Sequence, residues 1–361
     1  MAEHSPPGKL VFRRQRDYPG GTVVFEEAQD RESWNASVKS LGGSVLQSWE
    51  WGEFRANHGW RPLRLVDAAG TAAAQMLLRD LPLPGMGSLA YVPHGPVCSD
   101  GDNFAGVVEA VAERARENGA SLIRIEPRQS EERGLKVGGF TKSTSSVQPR
   151  CTRILEVLQD PEEQLKALPK DTRYGVRRAG REGVRAGPSN ALEEDLESFL
   201  DLLEETSSRQ NFALRSRDYY RDFMRDLPAH LVVARKEGEE RLLAGAVVLT
   251  FGEEAYYLYG ASAAESDNLY ASYVVQFEVL DVARRFGARR YDMWGPCKPK
   301  EGDPLWGVYQ FKKKFGGTEE GYIGAHEKDL HPAKAKLARA GIKGYYALQK
   351  LRGKSSGPIA D

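Results

Sequence analysis

The sequence predicts an α/β fold built from two duplicated domains, each a mixed sheet with helices on its faces. Two successive series of elements support this, since each has the signals of three strands, a helix and a fourth strand. One common offset of 168 residues separates three pairs of equivalent positions: Gly70 and Gly238, Tyr91 and Tyr259, and Gly119 and Gly287. Because unrelated units of this type also share glycine turns, coincidence is the alternative, but the common offset favours duplication.

The first series begins with two strands around a turn at Ala69-Gly70, in the segment RPLRLVDAAGTAAAQMLLRDLP, and a third strand signal lies in AYVPHGPV, residues 90–97. The segment FAGVVEAVAERARENGA then has the apolar spacing of a helix, and glycine ends it. The strand signal SLIRIEP follows. We expect this first domain to span residues 21–151 and to be completed by about residues 316–351.

The second series repeats that order and is expected to form a second domain over residues 152–315. Its three strand signals lie in AHLVVARKEGEERLLAGAVVLTFGEEAYYLYGAS, its helix in YVVQFEVLDVARRFGA and its last strand in RRYDMWGP. The charged, Pro- and Gly-rich residues 1–20 are expected to form a loose leader, and residues 352–361 a disordered tail.

The composition is that of a globular protein without bulk affinity for polyanions. Hydrophobic residues make up 40% of the 361 residues, and 51 Lys and Arg balance 51 Asp and Glu. A zero net charge argues against a nucleic-acid coat protein, although a local basic groove stays compatible with it. No apolar run reaches the roughly 18 residues that cross a bilayer, and no secretion signal opens the chain. We therefore expect a cytoplasmic protein that is able to work at the inner face of the membrane.

Metal and cofactor signals are absent from the sequence. Three widely separated cysteines and six scattered histidines have no metal-ligand spacing, and so few cysteines indicate a reducing compartment. Neither a GxxxxGK[ST] loop nor a GxSxG turn is present. The nearest matches to a coenzyme A turn, RENGAS and RRFGAR, lie at helix ends and lack the last small residue. We expect neither a metal nor a cofactor.

A basic segment lies between the two series, in LPKDTRYGVRRAGREGVRAG over residues 168–187, with six Lys or Arg against two acids. On a helix, Arg173, Arg177 and Arg181 share one face because they are four residues apart. Such a face is either a solvated surface or a strip that contacts the phosphates of a polyanion. Both interpretations stay open on the sequence.

The segment YQFKKKFGG, residues 309–317, combines three lysines with aromatic residues. Helical spacing relates four apolar residues: Leu305, Val308, Phe311 and Phe315. We predict a helix that begins near Pro304 and ends at Gly316-Gly317. Lys312 would then leave the apolar stripe and face a cleft. The alternative is that the lysines only offset the dipole at the end of the helix.

Several motifs together resemble the Fem family (FemABX) of non-ribosomal peptidyltransferases, over most of the chain from about Gln47 to His326. They are, in chain order, QSWEWGEFR, YVPHGP, YYLYGAS, NLYASYVVQFE and YQFKKKFGG. Members of this family use aminoacyl-tRNA to add amino acids to the peptidoglycan stem peptide. The resemblance implies tandem acetyltransferase-like (GNAT-type) domains. No long coiled-coil pair interrupts the second series, as in the armless, FemX-like members.

The resemblance also implies the site residues. Lys312 would stabilise the oxyanion formed on the aminoacyl ester, Phe311 would stack on the terminal adenosine, and Glu126 would help proton removal, with a surface ion pair as its alternative. A cleft for the precursor and its diphosphate is assigned to six residues: Arg55, Arg215, Tyr219, Tyr259, Trp51 and Tyr91. Contact with tRNA is assigned to the basic strip Arg173, Arg177 and Arg181.

The expected partners are aminoacyl-tRNA and a UDP- or lipid-linked peptidoglycan precursor, handled by a monomer that can associate peripherally with the membrane. Two alternatives stay open: a GNAT-like N-acyltransferase that acts on another amine with acyl-CoA, and a non-catalytic protein that binds tRNA or a wall precursor. Intact Lys312 and Arg215 favour aminoacyl transfer, and the missing coenzyme A turn counts against the acyl-CoA enzyme.

Overall fold

The computed structural model describes residues 23–81, 85–99, 103–131, 138–210, 214–296, 298–303, 305–337 and 339–340. The predicted leader and tail and Pro304 lie outside these residues. Within them, two mixed sheets carry helices on their faces, which confirms the α/β fold class.

The first sheet has eight strands: β1 (Phe25–Glu27), β2 (Arg61–Asp67), β3 (Ala72–Asp80), β4 (Ser88–Pro93), β5 (Val97–Cys98), β6 (Ala120–Glu126), β7 (Thr141–Lys142) and β15 (His326–Asp329). Their order in space is β1-β2-β3-β4-β6-β15-β7, and β5 pairs with β3. Three helices belong to this part of the chain: α1 (Arg31–Ser40), α2 (Trp49–Ala56) and α3 (Phe104–Glu117). Because β15 pairs with β6, the end of the described chain returns to the first sheet.

The second sheet has seven strands: β8 (Cys151–Glu156), β9 (Val184–Pro188), β10 (Ala229–Lys236), β11 (Ala244–Phe251), β12 (Glu254–Ser262), β13 (Arg290–Asp292) and β14 (Thr318–Gly321). Their order is β14-β8-β13-β12-β11-β10-β9. The helices here are α4 (Pro161–Ala167), α5 (Lys170–Arg181), α6 (Leu192–Gln210), α7 (Arg217–Asp226), α8 (Ser266–Leu269), α9 (Ala271–Arg285) and α10 (Trp306–Lys313).

The two halves share one topology, which confirms the duplication. In each half three strands pair antiparallel, a helix crosses over, and a fourth strand pairs parallel to the third: β2-β3-β4-α3-β6 and β10-β11-β12-α9-β13. Gly119 and Gly287 follow the two crossover helices, each with a φ of 80°. This left-handed conformation ends a helix and costs glycine little, because glycine has no Cβ.

A shared core joins the two halves. It packs α1 and α2 of the first half against α6 and α7 of the second, around Trp34, Phe54, Phe199 and Phe223. All four side chains are fully buried. Burial of each is worth roughly 1.5–3 kcal/mol or more. Further cores cover the outer faces, with α3 on the first sheet and α5 and α9 on the second. The large shared core holds the two sheets in one arrangement.

Arg128, just after β6, forms a buried ion pair with Glu254 of the other half. Its guanidinium donates to the two Glu254 carboxylate oxygens at 2.5 and 3.2 Å, and the Tyr256 hydroxyl donates to the same carboxylate at 2.6 Å. Burial alone would raise the Glu254 pKa, but Arg128 outweighs burial and lowers the pKa to about 2. A second carboxylate, Asp292, lies 3.6 Å from the Arg128 guanidinium.

Helix α10 confirms the predicted helix in the YQFKKKFGG segment. It follows Leu305 and ends at Lys313, and Gly316 and Gly317 then have φ values of 79° and 71°. Leu305 was wrongly placed in the apolar stripe: it precedes the first helical turn and is 52% exposed. The apolar stripe of this segment therefore begins at Val308 and not at Leu305.

Gly317→Ala is expected to lower the free energy of unfolding by roughly 2–4 kcal/mol. A Cβ there would lie 2.3 Å from the backbone oxygen of Ile154, in a left-handed conformation that alanine disfavours. Urea unfolding measures the loss. The matched control is Gly307→Ala, because a Cβ at Gly307 in α10 meets nothing within 4 Å. We expect that change to be neutral or to stabilise the protein by up to about 1 kcal/mol. Equal losses in both variants would contradict the prediction.

Two observations concern the cell compartment. Among the described residues, every helix is too short or too polar to cross a bilayer. Cys98 is not part of a disulfide, whereas Cys151 at the start of β8 is disulfide-bonded, a bond that so few and distant cysteines did not predict. Folding, and not sequence spacing, decides which thiols meet.

Candidate functional site

A cleft between the two sheets is lined by all six residues assigned to the precursor: Trp51, Arg55, Tyr91, Arg215, Tyr219 and Tyr259. They come from α2, β4, the segment before α7, α7 and β12, so only the folded chain brings them together. The cleft has a cavity volume of about 150 Å³. Its mixed aromatic and cationic lining suits the charged end of a larger ligand rather than a whole ligand.

Guanidinium groups supply the charge of this cleft. Arg55 is 4% exposed, and its Cζ lies 6.0 Å from the centre of the Trp51 ring. The Arg215 Cζ lies 5.4 Å from the centre of the Tyr219 ring. Burial lowers the pKa of Arg55, and the nearby charges of Arg215 and Arg79 lower it further. These like charges repel one another, so a bound anion would relieve the repulsion and be held by it. A guanidinium group also suits bidentate contact with phosphate.

Arg79 was missed by the sequence reasoning. It lies on β3, two residues after the cleft-lining Leu77, and therefore on the same face of the strand. Its Cζ is 5.4 Å from the centre of the Trp60 ring. Side chains alternate between the two faces of a strand, so a cleft-lining Leu77 would have indicated Arg79 on the same face.

The Trp51 side chain offers the cleft an unused donor. Its indole nitrogen is buried and has no hydrogen-bond partner among the described residues. An unpaired buried N–H costs roughly 1–3 kcal/mol, so a ligand oxygen placed there would recover that energy. Tyr259 forms the opposite wall, packed edge-on against Tyr220 and Phe223 at ring distances of 5.0 and 5.2 Å.

Glu126 lies behind the cleft wall. Its carboxylate accepts hydrogen bonds from the backbone N–H groups of Val147 and Gln148, at 2.8 and 2.7 Å, and from the Tyr91 hydroxyl at 3.1 Å. Burial raises the pKa of Glu126, and these hydrogen bonds partly offset that. At 4% exposure it is not a surface residue, so the surface ion pair is wrong. Its contacts hold Tyr91 and Gln148 against the cleft; proton removal by Glu126 stays a prediction.

Lys312 is the buried residue of α10, with 7% exposure. Its Nζ donates to the backbone carbonyl of Trp294 at 2.9 Å and lies 5.1 Å from the centre of the Tyr257 ring. Burial lowers the pKa of Lys312 to about 7, against the opposing effect of Asp292. Lys312 is not among the side chains that line the Arg55 cleft, contrary to the expectation that it faces a cleft. Trp294 connects Lys312 to the cleft, because its carbonyl accepts the Lys312 hydrogen bond and the same residue lines the cleft.

Trp294 was also missed, although the sequence contains a signal for it. HGP at residues 94–96 and WGP at residues 294–296 share a Gly-Pro step after a strand, and His94 and Trp294 have φ values of 49° and 55°. Their rings lie 5.1 Å apart across the interface. Asp292 accepts a hydrogen bond from the Trp294 N–H at 2.7 Å and another from the Thr152 hydroxyl, which holds the second turn in place.

The QSWEWG motif builds the floor that carries α2. The Gln47 amide donates to the carbonyl of Pro93 at 2.6 Å and accepts from the N–H of Gln75 at 2.6 Å. Gly52 lies so close to Gln75 that a Cβ would approach its side-chain oxygen to 2.3 Å. These contacts fix α2 on β3 and β4, and thereby direct Trp51 and Arg55 into the cleft.

The remaining predicted residues lie on the α5 and α10 surface. Phe311 is half-buried and packs edge-on against Tyr273 and Phe315, at ring distances of 5.9 and 5.2 Å. Arg173 donates to the carbonyls of Lys166 and Leu168 at the end of α4, at 2.8 and 3.3 Å, so it is not a free member of the predicted basic strip.

The other two residues of the strip, Arg177 and Arg181, are exposed. The Thr172 hydroxyl of α5 donates to the Lys314 carbonyl at the end of α10. This contact joins the basic helix to the helix that carries Lys312.

The buried Lys312 amine predicts a pH dependence of stability. The folded protein releases this proton near pH 7, whereas the unfolded chain keeps it to about 10.5. Because the unfolded state binds more protons in this window, the free energy of unfolding should rise with pH, by about 1.4 kcal/mol per unit between roughly pH 7 and 10. Urea unfolding of the wild type and of Lys312→Met at several pH values isolates this slope. Parallel curves for the two proteins would contradict it.

Comparisons with known proteins agree with the α/β fold described above. A family model described as the FemAB family matches residues 128–235 and 230–343, together more than half of the chain. The lipid II:glycine glycyltransferase of Staphylococcus saprophyticus is 25% identical over 392 residues, covering 83% of this chain and 94% of the relative. That of Staphylococcus aureus is 24% identical, covering 86% and 96%. A solved structure of FemX superposes with a TM-score of 0.76 at 23% identity, over 86% of this chain and 99% of that chain, and shows a shared fold.

Proposed function

The chain belongs to the FemAB family and is an aminoacyltransferase, and from this premise we propose that it transfers an amino acid from aminoacyl-tRNA to the stem peptide of a lipid-linked peptidoglycan precursor. The observation that carries the proposal is the Arg55 and Arg215 cleft, joined through Trp294 to the buried amine of Lys312. The relatives named lipid II:glycine glycyltransferase support the lipid-linked form of the precursor.

The cleft is proposed to bind the diphosphate end of the precursor. Arg55 and Arg215 would pair with its oxygens, since charge-assisted contacts of guanidinium with phosphate are strong and geometrically specific. The Trp51 indole N–H would donate to a neighbouring oxygen, because nothing in the described residues uses it. Tyr91, Tyr219 and Tyr259 would provide the walls that exclude water from the bound group.

The chemical step is an aminolysis. The stem-peptide amine attacks the ester carbonyl of the aminoacyl group, and the carbonyl oxygen becomes an oxyanion in the tetrahedral intermediate. The attack forms the carbon–nitrogen bond, and collapse restores the carbonyl and breaks the ester bond. The proton that the amine loses ends on the ribose oxygen, so the tRNA leaves with a terminal hydroxyl. Protonated Lys312 would stabilise the oxyanion, which in a dry site is the largest single contribution to such reactions.

Phe311 and α5 are proposed to receive the tRNA. Phe311 adjoins Lys312 in sequence and would stack on the terminal adenosine, at roughly 1–3 kcal/mol. The exposed cations Arg177 and Arg181 would contact phosphates farther along the acceptor strand. Such an enzyme would work on the cytoplasmic side, where charged tRNA is present, and would meet its precursor at the membrane surface.

Transfer of radiolabelled amino acids tests the proposal. The purified protein receives a mixed pool of aminoacyl-tRNA with either lipid-linked or soluble precursor. We expect label to enter the lipid-linked precursor and to be absent from a reaction with hydrolysed aminoacyl-tRNA. No transfer to either precursor, with consumption of acetyl-CoA in a parallel assay, would instead support an acyl-CoA-dependent enzyme. Transfer only to the soluble precursor would overturn the choice of substrate.

A further inference from the structure

A row of four aromatic rings runs over the surface from α10 to α5. Neighbouring ring centres are 5.9 Å apart between Phe311 and Tyr273, 5.4 Å between Tyr273 and Tyr270, and 6.1 Å between Tyr270 and Tyr174. The row begins at Phe311, the residue before Lys312 in α10, and ends at Tyr174, which is 50% exposed. The exposed half of the Tyr174 ring leaves this end of the row open to contact with a ligand.

The backbone around Tyr270 is arranged to hold this ring in place. Tyr270 has a φ of 56°, a left-handed conformation that is costly for a tyrosine, and it stands just before α9. Opposite it, α5 has Gly175, where a Cβ would lie only 2.6 Å from the Tyr270 ring. Strain at one position and the missing side chain at the other both serve to bring Tyr270 against α5.

Cations flank the same rings. The Arg178 guanidinium lies 5.3 Å from the centre of the Tyr270 ring, and the Lys314 ammonium 5.7 Å from that of Tyr273. Arg177 and Arg181 on α5 are exposed. Aromatic faces interleaved with positive charge are the surface that single-stranded nucleic acid binds, through base stacking and phosphate contact.

We propose that Tyr273, Tyr270 and Tyr174 form a stacking surface for the unpaired nucleotides that precede the acyl-bearing 3′ end of an RNA. The row would lead the strand from the paired stem, near Arg177 and Arg181, to the reaction centre at Lys312. This inference rests on the proposed function for the identity of the RNA. It goes beyond Phe311 and the terminal adenosine in assigning the next bases to three tyrosines.

Binding of two RNA hairpins tests the surface without any acyl transfer. One hairpin carries a short unpaired 3′ extension and the other ends flush; both are labelled, and fluorescence anisotropy gives their dissociation constants. The wild type should bind the extended hairpin more tightly. Tyr270→Ala and Tyr174→Ala should each weaken that binding by roughly 5- to 100-fold and leave the flush hairpin unaffected. Tyr270→Phe keeps the ring and should retain most of the affinity.

Phe286→Ala is the matched control, because Phe286 is another exposed aromatic residue, at 55% exposure, and packs on His230 away from this row. It should bind both hairpins like the wild type. Thermal unfolding of each variant identifies any loss of binding that comes from misfolding. Tyr174→Ala is the variant least affected by misfolding, because Tyr174 lies at the solvent-exposed end of the row. Equal affinity of the wild type for the two hairpins, or unchanged binding by both alanine variants, would overturn the inference.

The binding result is independent of the proposed reaction. Tyrosine-dependent binding without amino-acid transfer to any precursor would keep the stacking surface and reject the proposed function. Amino-acid transfer that is unchanged in the Tyr270→Ala and Tyr174→Ala variants would keep the proposed function and reject the stacking surface. Loss of affinity for both hairpins alike would show that the tyrosines support the fold of α5 rather than contact bases, and it too would reject the inference.

Discussion

Lys312→Met is expected to lower the turnover of aminoacyl transfer by roughly 10²- to 10³-fold, with little change in affinity for the precursor. The reason is that the amine would act on charge that develops only in the transition state, whereas Arg55 and Arg215 are proposed to bind the precursor before reaction. Methionine keeps most of the buried stem and removes the ammonium, which donates to the Trp294 carbonyl at 2.9 Å. Single-turnover rates at saturating precursor, together with precursor dissociation constants, separate the two effects.

Lys313→Met is the matched control, because Lys313 is the next residue of α10 and is exposed. It removes the same charge from the same helix and should retain turnover within a few-fold. If Lys312→Met loses precursor affinity as much as it loses turnover, Lys312 contributes uniform binding and the oxyanion role is wrong. If both variants lose turnover equally, the general charge of the helix matters and the position of the amine does not.

Arg128→Met is expected to lower the free energy of unfolding by roughly 3–5 kcal/mol, the second large effect. Removing the guanidinium leaves the largely buried Glu254 with the partly exposed Arg290, at 3.0 Å, as its remaining cation among the described residues, and Asp292 loses a compensating charge as well. Because Arg128 holds the Glu254 pKa near 2, this contribution is complete above pH 4.5 and is lost as the pH falls from there towards 2. Urea unfolding at pH 7 and at pH 3 measures both parts.

An exposed ion pair made by Glu253, the residue before Glu254, offers a control for the Arg128 and Glu254 pair. Arg289 pairs with Glu253 at 3.3 Å on the surface, with side-chain exposures of 73% and 66%. Arg289→Met should change stability by no more than about 1 kcal/mol, because solvent screens an exposed pair. A double change of Arg128→Met and Glu254→Gln should recover part of the loss, since it removes the uncompensated charge. Similar costs for the buried and the exposed pair would contradict the interpretation.

Much of the fold followed from local signals in the sequence. The turn at Gly70, the helix ends at Gly119 and Gly287, and the end of α10 at Gly316-Gly317 were all predicted, because glycine in a left-handed conformation acts within a few residues. The duplication followed from the common offset of such positions. Leu305 was misplaced because helical spacing alone does not say where the first turn begins.

The cleft assignments were predicted from motifs and the resemblance they carry, and the structure shows what one of those motifs does in packing. Gln47 and Gly52 are needed where α2 meets β3 and β4, so QSWEWG marks a packing contact that places Arg55. Arg79 and Trp294 were missed because each contributes a single side chain near the end of a strand, and the strand pattern does not show which of its side chains enters the cleft. Arg173 was assigned to tRNA although its side chain closes the end of α4.

By itself the sequence determined the two-domain α/β plan and the set of residue types at the site. Those depend on periodicity, glycine positions and local motifs, which act over short stretches of chain. Only the tertiary structure decided that Lys312 is buried under the Trp294 carbonyl, that Glu126 lies behind Tyr91, and that four aromatic rings align from α10 to α5. Burial and alignment depend on packing between elements far apart in the chain, and no local pattern specifies how a shared core will orient them.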